Sequence, residues 1–428
     1  MIDPLSDNPS SPSPPPPPPP HGRADIRARR PETLPILAAL LVAAALIAQG
    51  SDWLAQWYVP PPSHDEAPFI IWLFSAEAEA IALPLAQFRA DHPGVNIVVR
   101  KFEWDFPLLE QMPLHNGMEQ PSLIQMGTTW LPAAARAGLV IPLDSLLDRS
   151  NIGEEIFHPE AWRTCVFDSR TYGVPWYMED RCLIYRTDML PRAPVSWDDF
   201  RAWKPLVAPN KPLLLPHGEW SVFGIFLFQE GADPLKPLSP EWVRALDQYM
   251  SFFKDGTTIY GDTLAEFHHL DAFAEGRYAA FVAGPWIVPI LEKNYSKLAD
   301  SWTVVPLPAL RGRNTSLLGG SNWVIPTRAP KAELAWDFIE QMSRPGAQAE
   351  WKRISGGLPA VRKAWRFDHE EGSTGRAAFQ GQLSDVRAAP ISPAWERIEH
   401  RYAEILKDVI GDTMTPAEAR AALAKEME

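Results

Sequence analysis

The stretch that most constrains the fold is Asp271–Ile287, DAFAEGRYAAFVAGPWI. It begins as a short amphipathic helix carrying Phe273 and stops at Gly276, a residue that ends helices cheaply in the left-handed conformation. A compact apolar strand follows over Tyr278–Val282. Gly284-Pro285-Trp286 then turns the chain into a new helix, with Pro285 suited to its first turn. A strand that hands a tryptophan to a helix start places that ring at the carboxyl edge of a sheet, where open α/β domains bind ligands. A tryptophan met at random is more often a core residue, so the position needs support from the rest of the chain.

The chain of 428 residues has room for two domains and an appendage. Its 18 Trp are unusual, and the flat indole face suits stacking on the C–H faces of sugars, although large α/β cores also consume Trp. The formal charge of −13 and the lack of a basic aromatic stripe exclude a nucleic-acid partner.

Residues 1–32 open with a proline run, Pro14–Pro20, in a Ser/Pro/Asp context that cannot bury a core, which predicts a disordered cytoplasmic tail. Arg27, Arg29 and Arg30 precede the apolar run Leu34–Ala48, and Trp53, Trp57 and Tyr58 follow it. This order predicts one hydrophobic helix over 33–52, a membrane anchor with the body on the periplasmic side. A cleaved signal is the alternative, with Ala48-Gln49-Gly50 as its site. The region holds no Cys for lipid attachment. A Pro-rich linker fills 53–67.

Phe69–Phe74 (FIIWLF) reads as a strand buried on both faces, and Ser75-Ala76-Glu77 leaves its carboxyl end toward a helix. A Pro93-Gly94 turn leads to strand Val95–Arg100, and a third strand leads to a loop bearing Trp130. Arg170–Leu190 contains a G-V-P and, ten residues on, L-I-Y-R-T-D-M-L. Pro194–Trp203 reads as a helix start with Ser196 as N-cap and Asp199 closing a capping box. Glu219-Trp220 precedes an apolar helix, SWTVVPLPAL (Ser301–Leu310) is a further strand, and Gly319–Trp323 is GGSNW.

Together with F-x-x-G-R-x-A-x-x-x-x-G-x-W over Phe273–Trp286, the order and spacing of these motifs resemble the extracellular solute-binding proteins of carbohydrate ABC importers, the maltose-binding-protein-like group (family 1). The resemblance spans about Phe69–Val409. It implies an α/β, periplasmic-binding-protein-like two-lobe fold (type II) over 68–428. Lobe one would comprise about 68–176 and 304–345, and lobe two 177–303 and 346–428. It also implies a monomer that closes on a sugar or oligosaccharide and delivers it to permease subunits, without cofactor or metal. The ligand contacts it implies are Glu77, Trp130, Trp176, Glu179, Glu219, Trp220, Trp286, Asn322, Trp323 and Trp395. Glu179 also reads as a surface acid beside Arg181.

Cys165 and Cys182 flank a hairpin, and in an oxidising compartment they either bridge or remain two buried thiols. No nucleophile–base set, metal motif or phosphate loop occurs, and His268-His269 are adjacent and so cannot chelate from one helix face. Glu77, Glu179 and Glu219 leave glycoside hydrolysis as a minor alternative, and a membrane-tethered sensor of the same fold is the main rival.

Overall fold

The structure is a computed structural model that describes residues 67–74, 80–104, 107–112, 119–259, 268–367 and 376–427. The expected tail, hydrophobic helix and nearly all of the linker lie outside these residues, as does Glu77. Among the described residues no helix is long and apolar enough to cross a membrane.

In chain order the strands are β1 (Phe69–Phe74), β2 (Ile97–Phe102), β3 (Leu123–Gly127), a small hairpin of β4 (Val166–Phe167) and β5 (Arg170–Thr171), and β6 (Val174–Glu179). There follow β7 (Cys182–Arg186), β8 (Leu213–Leu214), β9 (Thr258–Ile259), β10 (Ala280–Ala283) and β11 (Trp302–Val305). The last are β12 (Ser316–Val324), β13 (Leu358–Pro359) and β14 (Val386–Ala388). One sheet runs β13-β6-β12-β3-β1-β2, with β14 beside β12, and a second runs β11-β7-β10-β8-β9. Two α/β lobes are thereby defined, one around each sheet.

The first sheet follows from its sequence. β1 is buried along its whole length and lies between β2 and β3, both parallel to it. A strand with no polar face needs a cover on each side. The helix Ala82–Asp91 supplies part of one, setting Phe88 against Phe69 and against Phe338, with ring centroids 5.9 and 5.0 Å apart. Each fully buried side chain of this kind contributes about 1.5–3 kcal/mol. In the second lobe the helix Trp220–Glu230 is apolar on nearly all sides and correspondingly buried, ending on Gly231 at φ 78°. That positive φ is the reason for a glycine there.

Strand polarity decides where the lobes meet. β6 is antiparallel to β12, which is antiparallel to β3, so β6 ends at the same edge as β1, β2 and β3. β7 then starts opposite the end of β10, Cys182 pairing with Ala283. The two-residue crossing Asp180–Arg181 therefore joins the carboxyl edge of one sheet to that of the other. The second crossing, between β11 and β12, is tied to the first at Ser316. Its hydroxyl accepts from the Arg181 backbone N–H (2.9 Å) and donates to the Arg181 carbonyl (2.8 Å). Gln382 braces the same segment, accepting from Leu307 N–H and donating to the Asn314 carbonyl.

Several expectations need correction. The first crossing falls after Glu179, not after Trp176, because β6 continues in register with β12 as far as Gly319. Residues 345–359 pack with the first lobe: Trp351 lies against Trp176, and β13 pairs with β6. GGSNW, which carries the implied contacts Asn322 and Trp323, lies in the middle of β12. Of the two readings left open for Cys165 and Cys182, the structure shows two buried free thiols. The helix expected from Ser196 starts at Asp198. Asp199 does reach back to the Val195 and Ser196 N–H groups (2.7 and 3.1 Å), but no Ser196 side-chain cap forms.

Candidate functional site

The carboxyl edge of the first sheet carries three aromatic rings. β1 ends on Phe74, Trp104 stands two residues beyond β2, and Trp130 stands three beyond β3. Phe74 and Trp104 are stacked at 4.8 Å. Trp130 meets Phe74 edge-on at 5.4 Å and Trp104 at 5.5 Å. Trp104 is 40% exposed, so it presents a face outward while its other side is supported. The support is anchored from beneath by Gln125 of β3, which accepts from the Phe74 N–H (2.9 Å) and donates to Tyr177 and Ser321. A fully buried amide with each of these bonds made fixes the end of β1 rigidly.

On the second lobe, β10 ends at Ala283 and Gly284–Trp286 turns into the helix Ile287–Asn294, close to the expectation from sequence. The Trp286 ring folds back over Gly284, and a Cβ there would collide with it. Across its face lies the Arg181 guanidinium, 4.6 Å from the ring centroid. Arg181 also pairs with Glu179 at 3.7 Å, and both side chains are mostly buried. Glu179 is thus the partner of Arg181, as the alternative reading had it, but at the crossing and not on the outer surface. Asp180 between them is fully buried, and neither carboxylate oxygen has a hydrogen-bond partner. Burial pushes its carboxyl well above the usual range, with Arg181 opposing.

Glu219 occupies the position before the helix Trp220–Glu230, makes no side-chain capping bond there, and accepts from the Ser221 hydroxyl. The helix Trp395–Ile410 brings Glu396 and Glu399 toward the same region. Burial, with repulsion from Glu396 and Glu219, pushes the Glu399 carboxyl up to about 7, and Arg181 opposes the shift. Burial and the charge of Glu110 raise Glu396 as well. Glu110 belongs to the short helix Leu108–Gln111 that follows β2.

Of the residues expected to meet ligand, Trp130, Glu179, Glu219 and Trp286 stand at this junction. Trp176 and Trp323 do not: they are fully buried, stacked at 4.1 Å inside the first lobe. Asn322 is buried as well and bonds Thr164 at 3.2 Å. Trp220 and Trp395 pack against each other at 4.7 Å in the second-lobe core. Their common feature is position inside an element or against its packed side. Trp104, Arg181, Glu110, Glu396 and Glu399 escaped the sequence reading. The signal that would have found Trp104 is the one used for Trp286, an aromatic just past a strand end.

Residues 85–371 match the bacterial extracellular solute-binding protein family, and the chain belongs to it. That is a family of binding proteins, not enzymes, acting outside the cytoplasm. A Brucella abortus chain named only as a binding protein is 25% identical over 333 residues, 73% of this chain and 80% of the relative. The diacetylchitobiose-binding protein DasA of Streptomyces coelicolor is 21% identical over 304 residues, 65% of this chain and 69% of its own length. Among solved structures, the sugar-binding protein MalE of Xanthomonas citri superposes with a TM-score of 0.75 at 25% identity, covering 84% of this chain and 96% of that one.

Proposed function

We propose that the chain captures a saccharide between its lobes and presents it to the permease of an ABC importer. The observation that carries this reading is the exposed face of Trp104 on a rigid aromatic base, at the edge where the crossing brings in Trp286. Flat apolar faces bind the C–H faces of sugar rings, and the carboxylates of Glu179 and Glu219 accept from hydroxyls. Relatives with saccharide ligands in their names, DasA and MalE, support the same class. Because contacts come from both lobes, ligand favours the conformation that makes all of them, and the short crossings act as the hinge. The segment 33–52 would tether the domain to the membrane with the lobes on the periplasmic side, near the permease.

A saccharide panel in thermal denaturation and calorimetry tests the reading. A ligand at 100 times its Kd should add about 2.7 kcal/mol of stability. If no saccharide shifts the transition, the reading falls. Amino-terminal sequencing of protein from its native cell tests the tether, since a chain beginning near Ser51 removes it.

A further inference from the structure

The Trp286 face is already taken by the chain itself. Arg181 is the second residue of the crossing Asp180–Arg181, and its guanidinium carbon lies over the indole, 4.6 Å from the ring centroid. A sugar stacked on that face needs its carbons about 3.5–4 Å from the ring, in the layer that the guanidinium fills. The backbone of Gly284 crowds the same ring, since a Cβ there would strike Cζ3 and its neighbours. All of this lies at the boundary of the lobes. Glu179 ends a strand of the first lobe, and Trp286 precedes a helix of the second. Gly356, which follows the first-lobe helix Pro345–Ser355, packs so closely on that turn that a Cβ would lie 3.2 Å from the Pro285 carbonyl.

The guanidinium is held on the ring incompletely. Its Nη1 is buried and has no hydrogen-bond partner among the described residues. The Glu179 carboxylate stands 3.7 Å from that nitrogen, beyond hydrogen-bond reach. A move of about 1 Å toward it makes a charge-assisted bond of about 2.7–2.9 Å and satisfies the donor. The backbone has no such freedom, because the Ser316 hydroxyl holds both the N–H and the carbonyl of Arg181. The side chain can therefore leave the ring while the pivot beneath it stays fixed. We propose that Arg181 is a built-in occupant of the site: a saccharide ring that stacks on Trp286 displaces the guanidinium toward Glu179, and Arg181 thereby sets the affinity. This rests on the saccharide-binding reading above. The cation–π contact given up weakens saccharide binding, and the bond gained at Glu179 offsets part of that loss.

Calorimetry with diacetylchitobiose, maltose and cellobiose compares the parent with Arg181→Ala and with Arg181→Gln, which keeps a polar side chain without the charge. Denaturation of the same samples establishes that each is folded. A saccharide that the parent binds should bind both variants about three- to tenfold more tightly, the scale of one partly buried cation–π contact. In a Trp286→Ala background the gain should vanish, because the ring that the cation occupies is gone. Hydroxyl-radical footprinting read by peptide mass spectrometry needs no ligand. Without sugar, Trp286 should be oxidised faster in either variant than in the parent, and Trp104 equally in all three. Unchanged or weaker saccharide binding by folded variants, or equal oxidation of Trp286, overturns the inference and leaves the saccharide reading standing. A saccharide bound by the variants and not by the parent supports both. If none of the three sugars binds any of these proteins, the saccharide reading falls and the inference with it. If neither variant folds, Arg181 is a structural residue and the inference alone falls.

Discussion

Trp176 and Trp323 stack 4.1 Å apart behind the first sheet, whereas Trp104 and Trp130 lie 5.5 Å apart at its carboxyl edge, one exposed and the other half-buried. The two pairs have the same chemistry and opposite surroundings. Trp176 stands inside β6 and Trp323 inside β12, so each ring is committed to the sheet face before any ligand could reach it. Trp104 and Trp130 lie beyond the last paired residue of their strands, where side chains are no longer owed to the sheet. What separates a buried wall from an accessible ring is therefore the offset from the strand end, and the second lobe repeats the rule. Trp286 follows β10 by three residues and is partly exposed, while Trp220 and Trp395 begin helices whose packed sides take them in.

The largest effect should come from breaking the wall. Trp176→Ala removes a ring in contact with Trp323, Trp351 and Tyr177 and should cost about 3–5 kcal/mol in urea denaturation. The affinity of the remaining folded molecules should stay within about threefold, since additivity holds for sites without shared partners. Lost affinity in a protein of unchanged stability would reverse the assignment of wall and surface.

The complementary change is at the edge. Trp104→Ala and Trp286→Ala should each weaken saccharide binding by about 1–3 kcal/mol, the range for a stacking platform, with stability changed by less than about 1 kcal/mol. Calorimetry and denaturation on the same samples separate the two quantities. A rim tryptophan whose loss unfolds the protein and spares affinity would show that exposure is a poor guide here.

A finer cut separates the ring from its seat. Gly284 has no positive φ, so a side chain there meets no backbone strain, only the Trp286 ring. Gly284→Ala should displace that ring and weaken binding by about 1–2 kcal/mol, at the low end of overpacking effects. In a Trp286→Ala background the same substitution should be nearly silent, because the atoms it strikes are gone. Additive losses in the double variant would place the effect of Gly284 somewhere other than the ring.

These offsets mark how much was legible in the sequence. The Gly276, apolar run and Gly-Pro-Trp of the second lobe predict a strand and a helix start to within about two residues, because local chemistry alone ends each element. Trp176, Trp323 and Asn322 resist the same reading. Motif spacing says that they lie near the cleft, but the face each side chain takes depends on the register of β6 against β12 and β3, a nonlocal fact. The irregularity between Ser321 and Asn322 shifts that register and is invisible in composition. Glu179 reads in sequence as a ligand contact or as a surface acid beside Arg181, because the short crossing that buries both is set by two sheets. Of the helix Trp395–Ile410, sequence spacing singles out only Trp395, which the fold buries in the second-lobe core. Cys165 and Cys182 stayed ambiguous because sequence spacing cannot say whether two thiols face each other; in the fold, each is buried and free.

The smallest effect sharpens the contrast between the aromatic and acidic parts of the site. Glu399 holds its proton up to about pH 7 in the folded protein, through burial and the charges of Glu396 and Glu219, whereas an unfolded chain releases it near pH 4.3. Between those values the native state binds the extra proton, so this contribution is complete at acid pH and is lost as pH rises through about 7. Asp188 and Asp199 have depressed values and act in the opposite sense, but their stability is lost only as pH falls through the acid range below about 4. Asp180 shares the sign of Glu399, so the wild-type slope alone does not isolate either group. Glu399→Gln does: it should flatten stability between about pH 4.5 and 7.5 relative to the parent, while leaving the limb below about pH 4 unchanged. Chemical denaturation at four or five pH values measures both limbs. Parallel curves for variant and parent would mean that Glu399 is ionised throughout, and that the acidic side of the cleft is better solvated than its neighbours suggest.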